Sequence, residues 1–122
     1  MTGEINNLHP NLIAVLTQLE RRMEFVLHVN SGHRTKEHND DPKVGGVPDS
    51  EHTYDPAMGA DVLCKRSVTR YRMLNELFAM GVRRIGIGET FIHVGVATDK
   101  PVDVAWLYDK DDLKKAPVTK EV

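Results

Sequence analysis

Residues 31–59 carry no hydrophobic period; Gly, Pro, Asp, Asn and His dominate them, and they lie between two strand-like runs. Structureless connections longer than about 15 residues are uncommon in compact domains and mostly carry function or disorder. A chain of 122 residues fits one domain. The segment holds His33, Arg34, His38 and His52, which favours function, and the regular elements of the fold are expected on either side of it.

Before that segment, His9-Pro10 leads into Leu12, Val15, Leu16, Leu19 and Met23, spaced three and four apart. This predicts an amphipathic helix over 11–23 with Pro in its first turn. Phe25–Val29 reads as a short buried strand. After the segment, Ala60–Cys64 reads as a second strand. Ser67 is the expected N-cap of a helix whose Tyr71, Leu74, Leu77 and Phe78 share a face, closed by Gly81. Arg84–Ile87 and Phe91–Val96 are strand-like, with a hairpin between them at Gly88-Glu89-Thr90, and Val104–Tyr108 supplies the last strand. The order α-β-loop-β-α-β-β-β predicts an α+β domain over residues 1–108, with a mainly antiparallel sheet and helices packed on one face. A charged tail, 109–122, follows.

Charge and composition exclude several roles. Sixteen basic and eighteen acidic side chains give a net charge of −2, so no nucleic-acid partner and no basic membrane face are expected. Apolar runs fall far short of the ~20 residues of a membrane helix, so no membrane insertion is expected. The lone Cys64 rules out an internal disulfide framework and reads as a small buried hydrophobe. A chain of this size buries enough surface to stand as a monomer. The first residues show no signal peptide, which implies cytoplasmic synthesis.

Six histidines make position decisive. His9, before a helix, and His28, within a strand, read as ordinary surface or core residues. His33 and His38 lie near Arg34 in the long segment. His52 and Asp61 bracket its end, and His93 interrupts the apolar strand Phe91-Ile92-His93-Val94. A buried imidazole there needs a partner, because an unsatisfied one costs a few kcal/mol. Two imidazoles and one carboxylate from three separate elements would leave a catalytic zinc its open fourth position. Such trios also arise by chance, so spacing alone leaves a metal-free α+β domain open.

Several ordered blocks bear on that choice. Ser31-Gly32-His33-Arg34-Thr35-Lys36-Glu37-His38-Asn39, Val44-Gly45-Gly46-Val47-Pro48-Asp49-Ser50-Glu51-His52, Gly59-Ala60-Asp61 and Phe91-Ile92-His93-Val94 together resemble the zinc D-Ala-D-Ala carboxypeptidase family. The resemblance runs from about Val26 to Tyr108. It implies the Hedgehog/DD-peptidase fold, Zn2+ held by His52, Asp61 and His93, and peptidoglycan stem peptides as substrate. It also places Arg34, His33 and Ser50 at the substrate and implies a catalytic carboxylate. Small members of the family occur as phage endolysins, which act at the cell wall.

The chain departs from the family pattern at defined points. Asp61 is nine residues beyond His52, where the family usually has seven, and the extra residues fall around Asp55-Pro56. His33 stands where Tyr or Phe is usual. Relatives carry an acidic residue three positions before the last His; here that position is Thr90, and Glu89 is four before. Many small relatives follow that His with Val-Asp, whereas this chain has Val94-Gly95.

Amide hydrolysis needs an activated water and stabilisation of the oxyanion, and zinc offers both. A carboxylate must then take the proton of the water and pass it to the leaving amine. Glu89 is the first candidate, with Asp55 and Glu51 as alternatives. The planar fork of Arg34 suits a substrate carboxylate, or it could pair with Glu37 or Asp61. Gly45-Gly46 reads as a turn rather than a phosphate loop, and Trp106 and Tyr108 as packing residues. Two functions therefore compete: a zinc peptidoglycan peptidase, cutting at D-Ala-D-Ala or at an internal L-Ala-D-Glu-type bond, and a zinc-bearing but non-hydrolytic module.

Overall fold

The apolar stripe near the N-terminus becomes helix α1, Pro10–Met23, with Leu12, Leu16, Leu19 and Met23 buried along one side. A computed structural model describes residues 1–41 and 50–108. The Val44–Asp49 block, the Gly45-Gly46 turn and the tail 109–122 lie outside the described residues. His9 caps α1, its Nδ1 accepting from Asn11 N at 3.0 Å, and Pro10 occupies the first turn, where a missing N–H costs nothing. Each buried leucine contributes roughly 1.5–3 kcal/mol.

The strands are β1 (Thr2–Gly3), β2 (His28–Ser31), β3 (Gly59–Leu63), β4 (Arg84–Ile87), β5 (Phe91–Gly95) and β6 (Val104–Leu107). They form one sheet in the order β1-β2-β3-β5-β4-β6. The three central pairings are antiparallel, and the outermost pair on each side is parallel. The sheet is therefore mixed rather than mainly antiparallel. The sequence reading missed β1, and it could not see that β6 returns alongside β4 in the same direction.

Helices α2 (Lys36–Asp40) and α3 (Ser67–Ala79) complete the described helices, with a short 3-10 turn at Glu51–Thr53. Both α2 and the 3-10 turn fall in the segment read as aperiodic. Ser67 lies inside α3, and Arg66 takes the cap position with no side-chain capping bond. Met73 and Leu77 are buried on α3, whereas Tyr71 and Phe78 are exposed, so the inward face is rotated from the expected one. Phe25 and Val26 are also exposed. The strand starts three residues later than expected because pairing Val29 with Val62 sets its register.

Alternation along the strands sends Ala60, Val62, Ile85, Ile92 and Val94 into the core that α1 and α3 cover. Cys64 is buried there as expected. Arg22 ties the two helices together through Glu76 at 3.1 Å. The opposite face carries one row across the sheet, in which Ser31 pairs with Asp61, Asp61 with His93, His93 with Gly86 and Gly86 with Trp106. Ser31 reaches this row because Asn30 is an extra residue between the Val29–Val62 and Ser31–Asp61 pairs, a bulge that re-aims the strand. Apolar packing thus occupies one face and polar chemistry the other.

Candidate metal centre

Asp61 on β3 and His93 on β5 are cross-strand partners, and Asp61 Oδ1 lies 3.0 Å from His93 Nδ1. His52 arrives from the 3-10 turn, its Nε2 3.1 Å from the same oxygen. Ser50 explains how the turn is set. Its hydroxyl accepts from His52 N at 3.2 Å, and its carbonyl accepts from Thr53 Oγ1 at 2.6 Å. The extra residues between His52 and Asp61 are held against the N-terminal segment. Asn7 Nδ2 donates to Asp55 Oδ1 at 2.8 Å, Ala57 N to Asn7 O at 2.9 Å, and His9 N to Ala57 O at 2.9 Å. The longer spacing is thereby absorbed before β3 begins.

The remaining ring nitrogens are committed, and their partners fix which nitrogen of each ring faces the centre. His52 Nδ1 is 2.7 Å from Gly32 O. A carbonyl only accepts, so Nδ1 donates to Gly32 O, and Nε2 is the nitrogen that faces Asp61. His93 Nε2 is 2.9 Å from Glu51 Oε1, and a carboxylate likewise accepts. This leaves His93 Nδ1 facing Asp61 and His52. One ligand atom from each of His52, Asp61 and His93 lies within 4.8 Å of the other two, and all three residues are buried at the site. Once ligation displaces the protons from the inward nitrogens, two imidazoles and one carboxylate, each with its other side engaged, fit zinc.

Two arginines balance the buried carboxylates. Arg34 Nη2 is 3.3 Å from Asp61 Oδ2, while its Nε donates to Ser31 Oγ at 2.7 Å and its Nη1 to Asn39 Oδ1 at 3.1 Å. Of the two partners considered for Arg34, Asp61 is the one it meets. Burial opposes the charge on Asp61, but His52 and His93 outweigh it and hold its carboxyl far below the usual range. Glu51 is held low in the same way. Burial pushes it up, and the His93 hydrogen bond, Ala97 N–H and Arg84 together push it further down. Arg84 Nε lies 3.0 Å from Glu51 Oε1, but its N–H is not aimed at that oxygen, so the pair is a charge contact rather than a hydrogen bond. Burial lowers His93, yet its two carboxylate partners raise its pKa to about 9 in the absence of metal.

The fold thus gathers His52, Asp61, His93 and Arg34 at one place. His33 is half-buried between Gly32 and Arg34, and the Ser50 hydroxyl is engaged in capping. Glu89 sits exposed at the β4–β5 hairpin tip. Its backbone carbonyl accepts from Arg70 Nη2 at 2.6 Å, and among the described residues its side chain makes no hydrogen bond or ion pair with the trio. Asp55 is exposed and bonded to Asn7. Glu51 lies on the far side of the His93 ring from Asp61, since it holds the opposite nitrogen.

Sequence reasoning missed the aromatic wall beside the centre. Trp106 packs on His93 with ring centroids 5.5 Å apart, and Tyr108 lies 5.2 Å from Phe91 and 6.2 Å from Trp106. Gly86 makes room for both, because a Cβ there would come within 2.6 Å of the Tyr108 ring and 2.7 Å of Trp106 Nε1. Burial and the negative charge of Asp61 push the Tyr108 hydroxyl far above its ordinary pKa. The available signal was the two-residue alternation of Trp106 and Tyr108, which says nothing about which strand they lie beside.

No helix among the described residues is long and apolar enough to cross a membrane. No curated protein and no solved structure matches the chain. A family model described as Peptidase M15 matches residues 2–95, a span that contains His52, Asp61 and His93 as well as Arg34 and Glu51. With most of its length covered by that match, the chain belongs to the Peptidase M15 family of zinc metallopeptidases.

Proposed function

We propose that this protein hydrolyses an amide bond in peptidoglycan stem peptides, at a D-Ala-D-Ala terminus or an internal L-Ala-D-Glu-type bond, within a Hedgehog/DD-peptidase fold. The supporting observation is the trio itself. Three donors from the 3-10 turn, β3 and β5 converge within 4.8 Å, with the outward nitrogens of both imidazoles already committed. His52, Asp61 and His93 would hold zinc, which supplies Lewis acidity to activate water and polarise the scissile carbonyl.

The other roles follow from what each side chain has left to give. Arg34 has five N–H donors and spends one from each nitrogen on Ser31, Asn39 and Asp61. The remaining two terminal N–H groups bind a substrate carboxylate, a group that stem peptides carry. His33 and Ser50 line the approach on the same segment. Glu89 accepts the proton of the attacking water and returns it to the leaving amine. The protein acts as a monomer at the cell wall, as a phage-type lytic enzyme would.

Mass spectrometry of defined muropeptides, with zinc-loaded and chelated protein, tests this reading. Loss of a terminal alanine or an internal cut, abolished by chelation, is the expected result. The exposed position of Glu89 favours a second reading, a zinc-bearing module without hydrolysis. Intact muropeptides in the presence of stoichiometric zinc would establish it.

A further inference from the structure

Glu51 is charged and only 2% exposed, and the proposed reaction does not use it. Its carboxylate is fully engaged. Oε1 accepts from His93 Nε2 at 2.9 Å and faces Arg84 at 3.0 Å, while Oε2 accepts from Ala97 N at 3.0 Å. The backbone carbonyl of Glu51 also accepts from Met58 N at 3.1 Å. A charge sequestered so completely is costly unless every bond is made. It also occupies space that two glycines leave open. A Cβ on Gly95 would lie 2.3 Å from Oε1 and 2.4 Å from Oε2, and one on Gly59 would lie 2.6 Å from the His93 ring and 2.7 Å from Glu51 Cβ. Gly95 follows His93 by two residues on β5 and so shares its face.

We infer that Glu51 is a positioning residue for the metal centre: seated over Gly95, it holds the His93 Nε2 proton and thereby keeps Nδ1 aimed at the point where His52 and Asp61 converge. The inference rests on the zinc reading above. Without Glu51 the ring is free to flip or to shift its proton, and either change withdraws a donor from the site. Carboxylates that fix a ligating imidazole in this way typically contribute 10- to 100-fold in metal affinity. Gly95 belongs to the same device, because any side chain there displaces the carboxylate without altering the residue at position 51.

The test compares wild type, Glu51→Gln, Gly95→Ala and the double variant by zinc titration against a competing chelator. Histidine-selective 15N NMR on the 113Cd-loaded protein accompanies it. Each single variant should bind zinc 10- to 100-fold more weakly, and the double variant should be little weaker than either single one, since both remove the same contact. In wild type, cadmium should couple to His93 Nδ1, with a solvent-protected proton on Nε2. Cadmium on Nε2, or Glu51→Gln affinity within twofold of wild type, would overturn the inference while leaving the zinc reading intact. A wild-type chain that takes up no zinc would overturn both. The wild-type spectrum decides the tautomer even if a variant fails to fold.

Discussion

Asp61 and His93 face each other across adjacent antiparallel strands, with the carboxylate oxygen 3.0 Å from Nδ1 of the ring. Neither side chain has to be recruited from a loop, because the pairing of β3 with β5 that builds the core also sets their separation. Only His52 depends on the long irregular segment, and its own position is fixed by Gly32 O and the Ser50 cap.

Removing one donor should therefore abolish tight zinc binding without dismantling the sheet. Protein purified from zinc-supplemented medium should carry about one zinc per chain. Asp61→Ala, His52→Ala and His93→Ala should each retain little after dialysis, with affinity lowered by at least about 100-fold, as elemental analysis would show. Stoichiometric zinc in Asp61→Ala would exclude the trio as the binding site.

Zinc binding should also be visible as stability. A ligand held only by the folded state adds about 2.7 kcal/mol at a hundredfold excess over Kd. Thermal unfolding should move to higher temperature with added zinc and return with chelator, and this shift should vanish in His93→Ala.

The metal-free protein should show a defined pH window. The pKa of His93 is raised from 6.5 to about 9 when folded. Its contribution to stability is therefore complete below about pH 6.5 and is lost as pH rises through about 9. Glu51 and Asp61 are shifted below ordinary values of 4.5 and 3.8, so theirs is present above about pH 4.5 and is lost on acidification. Urea midpoints of chelated protein should peak between about pH 4.5 and 6.5. A midpoint unchanged from pH 6 to 9 would contradict the carboxylate–imidazole arrangement.

Gly86 tests the aromatic wall. A methyl group there would collide with both Trp106 and Tyr108, and forced repacking of this kind costs about 1–3 kcal/mol. Gly86→Ala should lower the melting temperature and disturb the environment of Trp106, which its fluorescence would report. A variant with wild-type stability and spectrum would show that the rings yield freely.

Period and turn chemistry made much of the fold legible. The stripe from Leu12 to Met23 identified α1, with Pro10 one residue earlier than the expected start. The hairpin between β4 and β5 followed from its glycines, and ordered motif blocks singled out His52, Asp61 and His93. What escaped depended on partners distant in sequence. Two-residue β1 is a strand only because it pairs with β2. Tyr71 and Phe78 look inward on α3 until the packing of Met73 and Leu77 rotates them out.

By itself the sequence determined which residues could serve a metal, because imidazole and carboxylate chemistry belongs to the side chain and travels with the motif. Tertiary structure alone decided which nitrogen of each ring is left to serve, because that depends on Gly32 O for His52 and on the Glu51 carboxylate for His93. In sequence Glu51 is one of the alternative candidates for the catalytic carboxylate. It becomes a buried partner of His93 only where folding brings it over Gly95, forty-four positions away, in space that a side chain would have filled.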